Sequence, residues 1–254
     1  MVATAGDGTR LAVQCQGEGP PLVLLAGQAS NHHWWDTTRA DFDPARGTIT
    51  MDYRGTGASG KPDGPYSTRL IADDVIAVLD ALGVGRADVY GTSMGGRVAQ
   101  WVAIWYPERV GRLVLGCTSP GGAHAVERSM EVRRALMRRD SDNILADLMF
   151  TPEWRAGHPG PYRVLGDKEM PIHARKGHLA ASNTHDAWHD LPAITAPTLI
   201  LHGSDDQLTP AVNAELLAER IPGARTHIFP GARHAYFEEC RPQASELAIE
   251  FLTS

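Results

Sequence analysis

Cysteine is scarce in this chain of 254 residues, and its three copies, Cys15, Cys117 and Cys240, are odd in number and far apart. They do not make a disulfide framework, so a reducing cytoplasm is the expected location. Cys15 and Cys117 sit in apolar strand-like runs and are expected as small core residues. No apolar run reaches the length of a membrane span. The start, Met1-Val2-Ala3-Thr4-Ala5-Gly6-Asp7, lacks the basic head and apolar stretch of a secretory signal. Positive charge is also in short supply. The net charge is −6, which argues against a nucleic-acid surface. The nearest thing to a basic run, Arg133-Arg134 with Arg138-Arg139, is interleaved with Ala, Leu and Met and reads as the polar face of a helix. No G-x-G-x-x-G opens a βαβ unit and no P-loop is present, which excludes the usual dinucleotide and ATP enzymes. There is no internal repeat or low-complexity tract.

What is present is an alternation of strand and helix signals. Leu11–Cys15 alternates like an edge strand. Pro21–Ala26 is a continuous apolar run, as expected of a central strand buried on both faces. Thr48–Tyr53, Ala87–Tyr90 and Arg112–Cys117 read as further strands, with helices over Ser67–Leu82 and Gly96–Trp105. Ser67 is the expected N-cap and Gly83 the stop. From Ser119 to Leu191 no strand is evident. Helical segments such as Val126–Arg139 and Asn143–Phe150 alternate there with Pro152, Pro159, Pro161 and Pro171. This stretch is expected to be a helical insertion, a mobile lid over a pocket rather than a rigid appendage. Alternation resumes with a strand at Pro197–Gly203, a helix over Pro210–Ile221, a strand at Thr226–Phe229 and a helix over Gln243–Leu252. The pattern implies one α/β domain: a mostly parallel central sheet with helices on both faces, residues 1–118 and 192–254 forming its core and 119–191 a helical lid.

Gly91-Thr92-Ser93-Met94-Gly95 fits G-x-S-x-G between a strand and a helix. A serine on such a sharp turn holds its hydroxyl out from the backbone, and the glycines let strand and helix approach closely. A nucleophilic serine needs a base, and the base needs an orienting carboxylate. Two loops that follow strands in the second half supply candidates: Ser204-Asp205-Asp206 and Ala232-Arg233-His234. His202 and His227 lie inside strands, whereas His234 sits in a loop just past a strand end, and that position gives it priority as the base.

Here the chain resembles the α/β-hydrolase superfamily, in particular the small lid-bearing serine hydrolases that include carboxylesterases and enol-lactone hydrolases. The resemblance spans the core. Asp52-Tyr53-Arg54-Gly55-Thr56-Gly57-Ala58-Ser59 is similar to the family's D-x-R-G-x-G-x-S turn, Gly203–Asp206 with Pro210 to its acid loop, and Gly231–His234 to its histidine loop. In such proteins the acid commonly lies three residues after that glycine and four before that proline, which implies Asp206 and not Asp205. The resemblance also implies an oxyanion hole of two backbone N–H groups, assigned to Met94 and Gln28. Ala26-Gly27 stands where the family usually has His-Gly, but a backbone donor survives that change. Asp52 and Arg54 are expected to fix the turn and not to react.

The remaining features divide. Trp34 and Trp35 could wall an apolar acyl pocket or pack on the sheet. Arg97 is expected to pair with a nearby carboxylate and not to clamp substrate. His185 and His189 have the i, i+4 spacing of a zinc-binding helix, but Asp186 replaces the glutamate of that motif and no third ligand is identifiable. The expectation is therefore a helix packed on the core, with no metal and no cofactor. The reading as a whole is a serine hydrolase of a small-to-medium, largely apolar carboxylic ester or lactone. Two alternatives stay open: a cofactor-free perhydrolase, haloperoxidase-like enzyme or C–C bond hydrolase on the same fold, and a non-catalytic ligand-binding receptor.

Overall fold

The computed structural model describes residues 1–138 and 140–254. Arg139, the end of the expected helical segment Val126–Arg139, lies outside the described residues. Strands β1 (Val2–Thr4), β2 (Arg10–Gln16) and β3 (Pro21–Leu25) lead through a short helix α1 (Arg39–Phe42) to β4 (Gly47–Met51). Then α2 (Thr68–Ala81), β5 (Ala87–Thr92), α3 (Met94–Trp105) and β6 (Val110–Gly116) follow in alternation. Four α-helices come next: α4 (Met130–Ala135), α5 (Ser141–Met149), α6 (Pro152–Gly157) and α7 (Ile172–Asn183). The chain closes with β7 (Thr198–Gly203), α8 (Val212–Arg220), β8 (Arg225–Phe229), α9 (Tyr236–Glu239) and α10 (Gln243–Thr253).

The eight strands make one sheet in the order β1-β2-β4-β3-β5-β6-β7-β8. Only β2 runs against its neighbours, β1 and β4; every pairing from β4 across to β8 is parallel. This is the expected class, a mostly parallel sheet with helices on both faces and a helical insertion between β6 and β7. The apolar runs explain it. Leu22–Leu25 of β3 and Leu113–Leu115 of β6 are all at most 1% exposed, which requires cover on both sides. α2 buries Ile71, Ala72, Val75, Val78 and Leu79, spaced three and four apart. Ser67 Oγ accepts from the Leu70 N–H at 3.0 Å to start this helix, and Gly83, at φ +68°, ends it.

Two expectations need correction. β2 is not the edge: β1 pairs outside it, with only Ala3 of its three residues buried. Cys15 is exposed, because the end of β2 runs past the core, whereas Cys117 is fully buried.

Candidate active site

β5 delivers the chain to Ser93, and α3 begins at the next residue. Ser93 has φ 55° and ψ −120°, a costly conformation for a residue with a Cβ. It is held there from both sides. The Ser93 N–H donates to Gly116 O at 2.8 Å, and Thr118 Oγ1 donates to Ser93 O at 2.7 Å. A Cβ on Gly91 would strike the Gly95 carbonyl, and one on Gly95 would strike the carbonyls of Leu25 and Ala26. The glycines are thus demanded by the approach of α3 to β3 and β5. Gly96, outside the motif, is required as well: a Cβ there would lie 2.6 Å from Thr118 Cβ.

Ser93 opens on a cavity of about 530 Å³, whose wall also includes Gln28, Met94, Trp34 and His234. A wider cleft of about 1120 Å³ beside His32, His33 and Asp167 reaches neither Ser93 nor His234. His234, 3% exposed, follows β8 in the loop before α9. Its Nδ1 lies 2.7 Å from Asp206 Oδ2, which assigns the ring proton to Nδ1 and leaves Nε2 as the acceptor. Among the described residues no hydrogen bond joins Ser93 Oγ to His234. Such bonds are often long without substrate and tighten on binding.

Asp206 is buried, and each of its oxygens is engaged. Oδ1 accepts the N–H groups of Leu208 and Thr209 at 2.8 and 2.9 Å. Oδ2 receives His234 and also lies 3.2 Å from His202 Nε2. Burial alone would raise the carboxyl's pKa, but the charge of His234 and the hydrogen bonds from His202 and His234 outweigh it and hold Asp206 well below the usual carboxylate range. Its neighbour Asp205 is exposed and accepts from Ser204 Oγ at 2.7 Å. The geometry therefore joins Asp206, not Asp205, to His234.

The N–H groups of Gln28 and Met94 have no intramolecular acceptor among the described residues, and both residues line the Ser93 cavity. Unpaired donors of this kind are what a developing oxyanion needs. The Gln28 loop is braced by His178 of α7: the Ala29 N–H donates to His178 Nδ1 at 3.2 Å, and His178 Nε2 donates to Arg54 O at 2.9 Å. Burial lowers the His178 pKa to about 4, so the ring is neutral and can do both. The insertion is tied down again where Asp167 N–H donates to Ala29 O at 2.7 Å and Asp167 Oδ2 accepts the Gly57 N–H at 2.7 Å.

Trp34 and Trp35, adjacent on one 3-10 turn, both pack near Phe237 but differ in what else they reach. Trp34 lines the cavity, and its Nε1 donates to Thr92 Oγ1 at 2.9 Å. Trp35 does not reach the cavity; it is fully buried against Tyr90 and Phe237, at ring distances of 5.1 and 5.5 Å. Arg97 also departs from expectation. It is 7% exposed, lines the cavity and has no carboxylate partner among the described residues; it donates to Ser182 O at 2.7 Å and to Ser119 Oγ at 3.0 Å. Asp52 and Arg54 do fix the turn. Asp52 accepts the N–H groups of His32 and Ala58, and Arg54 grips Asp74 through two bonds of 2.6 Å.

His185 and His189 share no helix, because α7 ends at Asn183. His185 is buried, accepting from Trp101 Nε1 at 3.1 Å and bonding Gln100 at 3.3 Å, while His189 is exposed. Among the described residues no group of three or more His, Cys, Asp or Glu side chains is arranged to hold a metal ion. No helix there is long and apolar enough to cross a membrane.

Sequence reasoning missed His178 and His202. His202 had been set aside as a strand residue, yet its position four before Asp206 at the end of β7 aims it at the same carboxylate.

Comparison with known proteins places these features in context. A model described as the alpha/beta hydrolase family matches residues 22–246. A 2-hydroxymuconate semialdehyde hydrolase of Pseudomonas putida is 32% identical over 96% of this chain and 91% of its own. A 3-oxoadipate enol-lactonase of Acinetobacter baylyi is 28% identical over 92% of this chain and 89% of its own. Among solved structures, an enol-lactonase from Burkholderia xenovorans superposes with a TM-score of 0.87 at 25% identity, covering 100% of both chains.

Proposed function

Since the chain belongs to the alpha/beta hydrolase family, we propose that it is a serine hydrolase of carboxylic esters or lactones, acting through Ser93, His234 and Asp206 without a cofactor. The observation that carries this reading is the pair of unpartnered N–H groups, Gln28 and Met94, on the wall of the cavity that holds Ser93 and His234. A binding protein has no need for two orphaned donors beside a strained serine. In the proposed cycle His234 Nε2 takes the Ser93 proton as Oγ attacks the carbonyl carbon. Asp206 keeps that nitrogen free and stabilises the imidazolium. The oxyanion forms against the two N–H groups, and the alkoxide leaves with the proton from His234. Water, deprotonated by His234, then releases the acid from Ser93. Residues 119–191 serve as a lid that walls the cavity, through Leu145, Met149 and Val164 among others. The three free cysteines suit a cytoplasmic location.

One specific finding favours a second reading. The relative named for a semialdehyde offers no ester to cut, which points to C–C bond hydrolysis by the same residues. A panel of p-nitrophenyl esters, γ-lactones and 1,5-diketones separates the two. Turnover of esters or lactones is expected. Diketone cleavage with no ester or lactone turnover would move the assignment to C–C bond hydrolysis.

A further inference from the structure

Resting on the hydrolase reading and deepening it, we propose that the substrate carries a carboxylate close to its scissile carbonyl, and that Arg97 is the residue that receives it. The cavity wall contains four cations, Arg97, Arg128, Arg175 and Lys176, against one carboxylate among the described residues, Asp142. That balance is opposite in sign to the chain as a whole, whose net charge is −6. Asp142 is exposed at the rim and lies 3.7 Å from Lys168.

Arg97 is the informative member. It is buried, yet among the described residues no carboxylate lies within ion-pair distance of it; Glu127, which acts on it from farther off, bonds Arg133 instead. Its two hydrogen bonds, to Ser182 O and Ser119 Oγ, occupy one hydrogen each on Nη1 and Nη2. The other three N–H hydrogens have no acceptor among the described residues. A buried guanidinium without a counter-ion is a standing cost that an arriving anion removes. Burial pulls its pKa down to about 10, so it stays charged at neutral pH. The two neutral acceptors hold the guanidinium still, which leaves its free hydrogens pre-set for a planar carboxylate.

Position sets the reach. Arg97 follows Ser93 by four residues at the start of α3, and both side chains line the same cavity. A carboxylate there is joined to the scissile carbonyl by a short chain, as in the half-ester of a dicarboxylic acid or a lactone bearing an acid group. Arg128, half-buried and without a hydrogen-bonded acceptor among the described residues, adds positive potential on the same wall, as do Arg175 and Lys176. The cavity is therefore less apolar than Trp34 and Trp35 led the sequence to suggest.

The test compares two substrates of equal chain length, 4-nitrophenyl hydrogen glutarate and 4-nitrophenyl valerate, which differ in a terminal carboxylate. The wild-type protein is expected to prefer the glutarate by about 10- to 100-fold in kcat/KM, the range of a charge-assisted hydrogen bond to a charged group. Arg97→Gln should bring the ratio near one, and Arg97→Lys should restore part of it; the lysine variant also answers if the glutamine variant does not fold. Equal rates on both esters, or preference for the valerate, would overturn the carboxylate site and leave the hydrolase reading intact. Failure to turn over either ester, together with no labelling of Ser93 by a fluorophosphonate, would overturn the hydrolase reading and this proposal with it.

Discussion

Replacing Asp206 with asparagine keeps the shape of the side chain and removes one charge, and the hydrogen bonds around it fix the consequence. If the amide oxygen takes the place of Oδ1, it keeps the N–H groups of Leu208 and Thr209. The amino group then stands where Oδ2 was, 2.7 Å from His234 Nδ1 and 3.2 Å from His202 Nε2. His202 Nε2 is already a donor, because Thr209 O lies 2.7 Å from it. The new amino group therefore meets a donor on one side and forces His234 Nδ1 to accept on the other. The His234 proton moves to Nε2, and in the proposed cycle the ring can then no longer take the proton of Ser93. The reverse rotamer strands two backbone N–H groups instead. The expected loss in kcat is about 10³- to 10⁴-fold, or about 4–5 kcal/mol of transition-state stabilisation. Fold stability should drop by about 2–4 kcal/mol, which a typical domain survives. The folded carboxyl titrates below its unfolded value, so this stability gap is fully present at neutral pH and closes as pH falls below about 4. Initial rates on one p-nitrophenyl ester, with circular dichroism as the control for folding, measure both effects. Asp205→Asn should change kcat less than about threefold, since its side chain is exposed and bonds only Ser204. A folded Asp206→Asn protein within tenfold of wild type, or a larger loss in Asp205→Asn, would refute the reasoning.

Glu238 is buried, and its Oε1 has no hydrogen-bond partner among the described residues. Burial raises its carboxyl from 4.5 to about 7 despite a hydrogen bond from Thr37. The folded state thus holds this proton longer than the unfolded one, and stability should decline as pH rises from about 4.5 to 7. Glu238→Gln should gain about 2–3 kcal/mol at pH 8 and almost nothing at pH 4, read by urea unfolding at both; an equal gain at both pH values would contradict this. His178→Ala removes the brace between Ala29 and Arg54, so thermal unfolding should reveal a loss of about 2–4 kcal/mol. In the same variant kcat should fall more than KM rises, because Gln28 adjoins the released residue; an unchanged kcat in folded protein would separate His178 from the proposed oxyanion loop. Gly95→Ala places a methyl against the carbonyls of Leu25 and Ala26 and should cost more than about 3 kcal/mol, with little soluble protein recovered at 37 °C. Wild-type stability in that variant would mean α3 can back away from β3.

The core was legible because its signals are local. Continuous apolar runs marked β3 and β6, Ser67 and Gly83 bracketed α2, and the glycines around Ser93 announced the turn that needs them. β1 was not legible, because three residues with one buried side chain carry no period. Neither was α7, whose buried positions are Ala174, His178, Ala181 and Ser182, small or polar residues that leave no apolar stripe. Side chains whose roles depend on distant partners were also hidden. Arg97 looked like half of an ion pair until its neighbours proved to be Ser182 O and Ser119 Oγ. Trp34 and Trp35 are alike in sequence, and only the fold separates the cavity wall from the core. His178 bonds Ala29 across 149 residues, a pairing that local reasoning could not supply.

The claim on which everything else depends is that Ser93 Oγ is the nucleophile. The most direct measurement is intact-mass and peptide mapping of the protein treated with a fluorophosphonate, alongside ester turnover by Ser93→Ala. One adduct on the peptide containing Ser93, none in the folded variant, and a loss of roughly 10³-fold or more in turnover are expected. An adduct on another residue, or near-wild-type turnover by folded Ser93→Ala, would contradict the account.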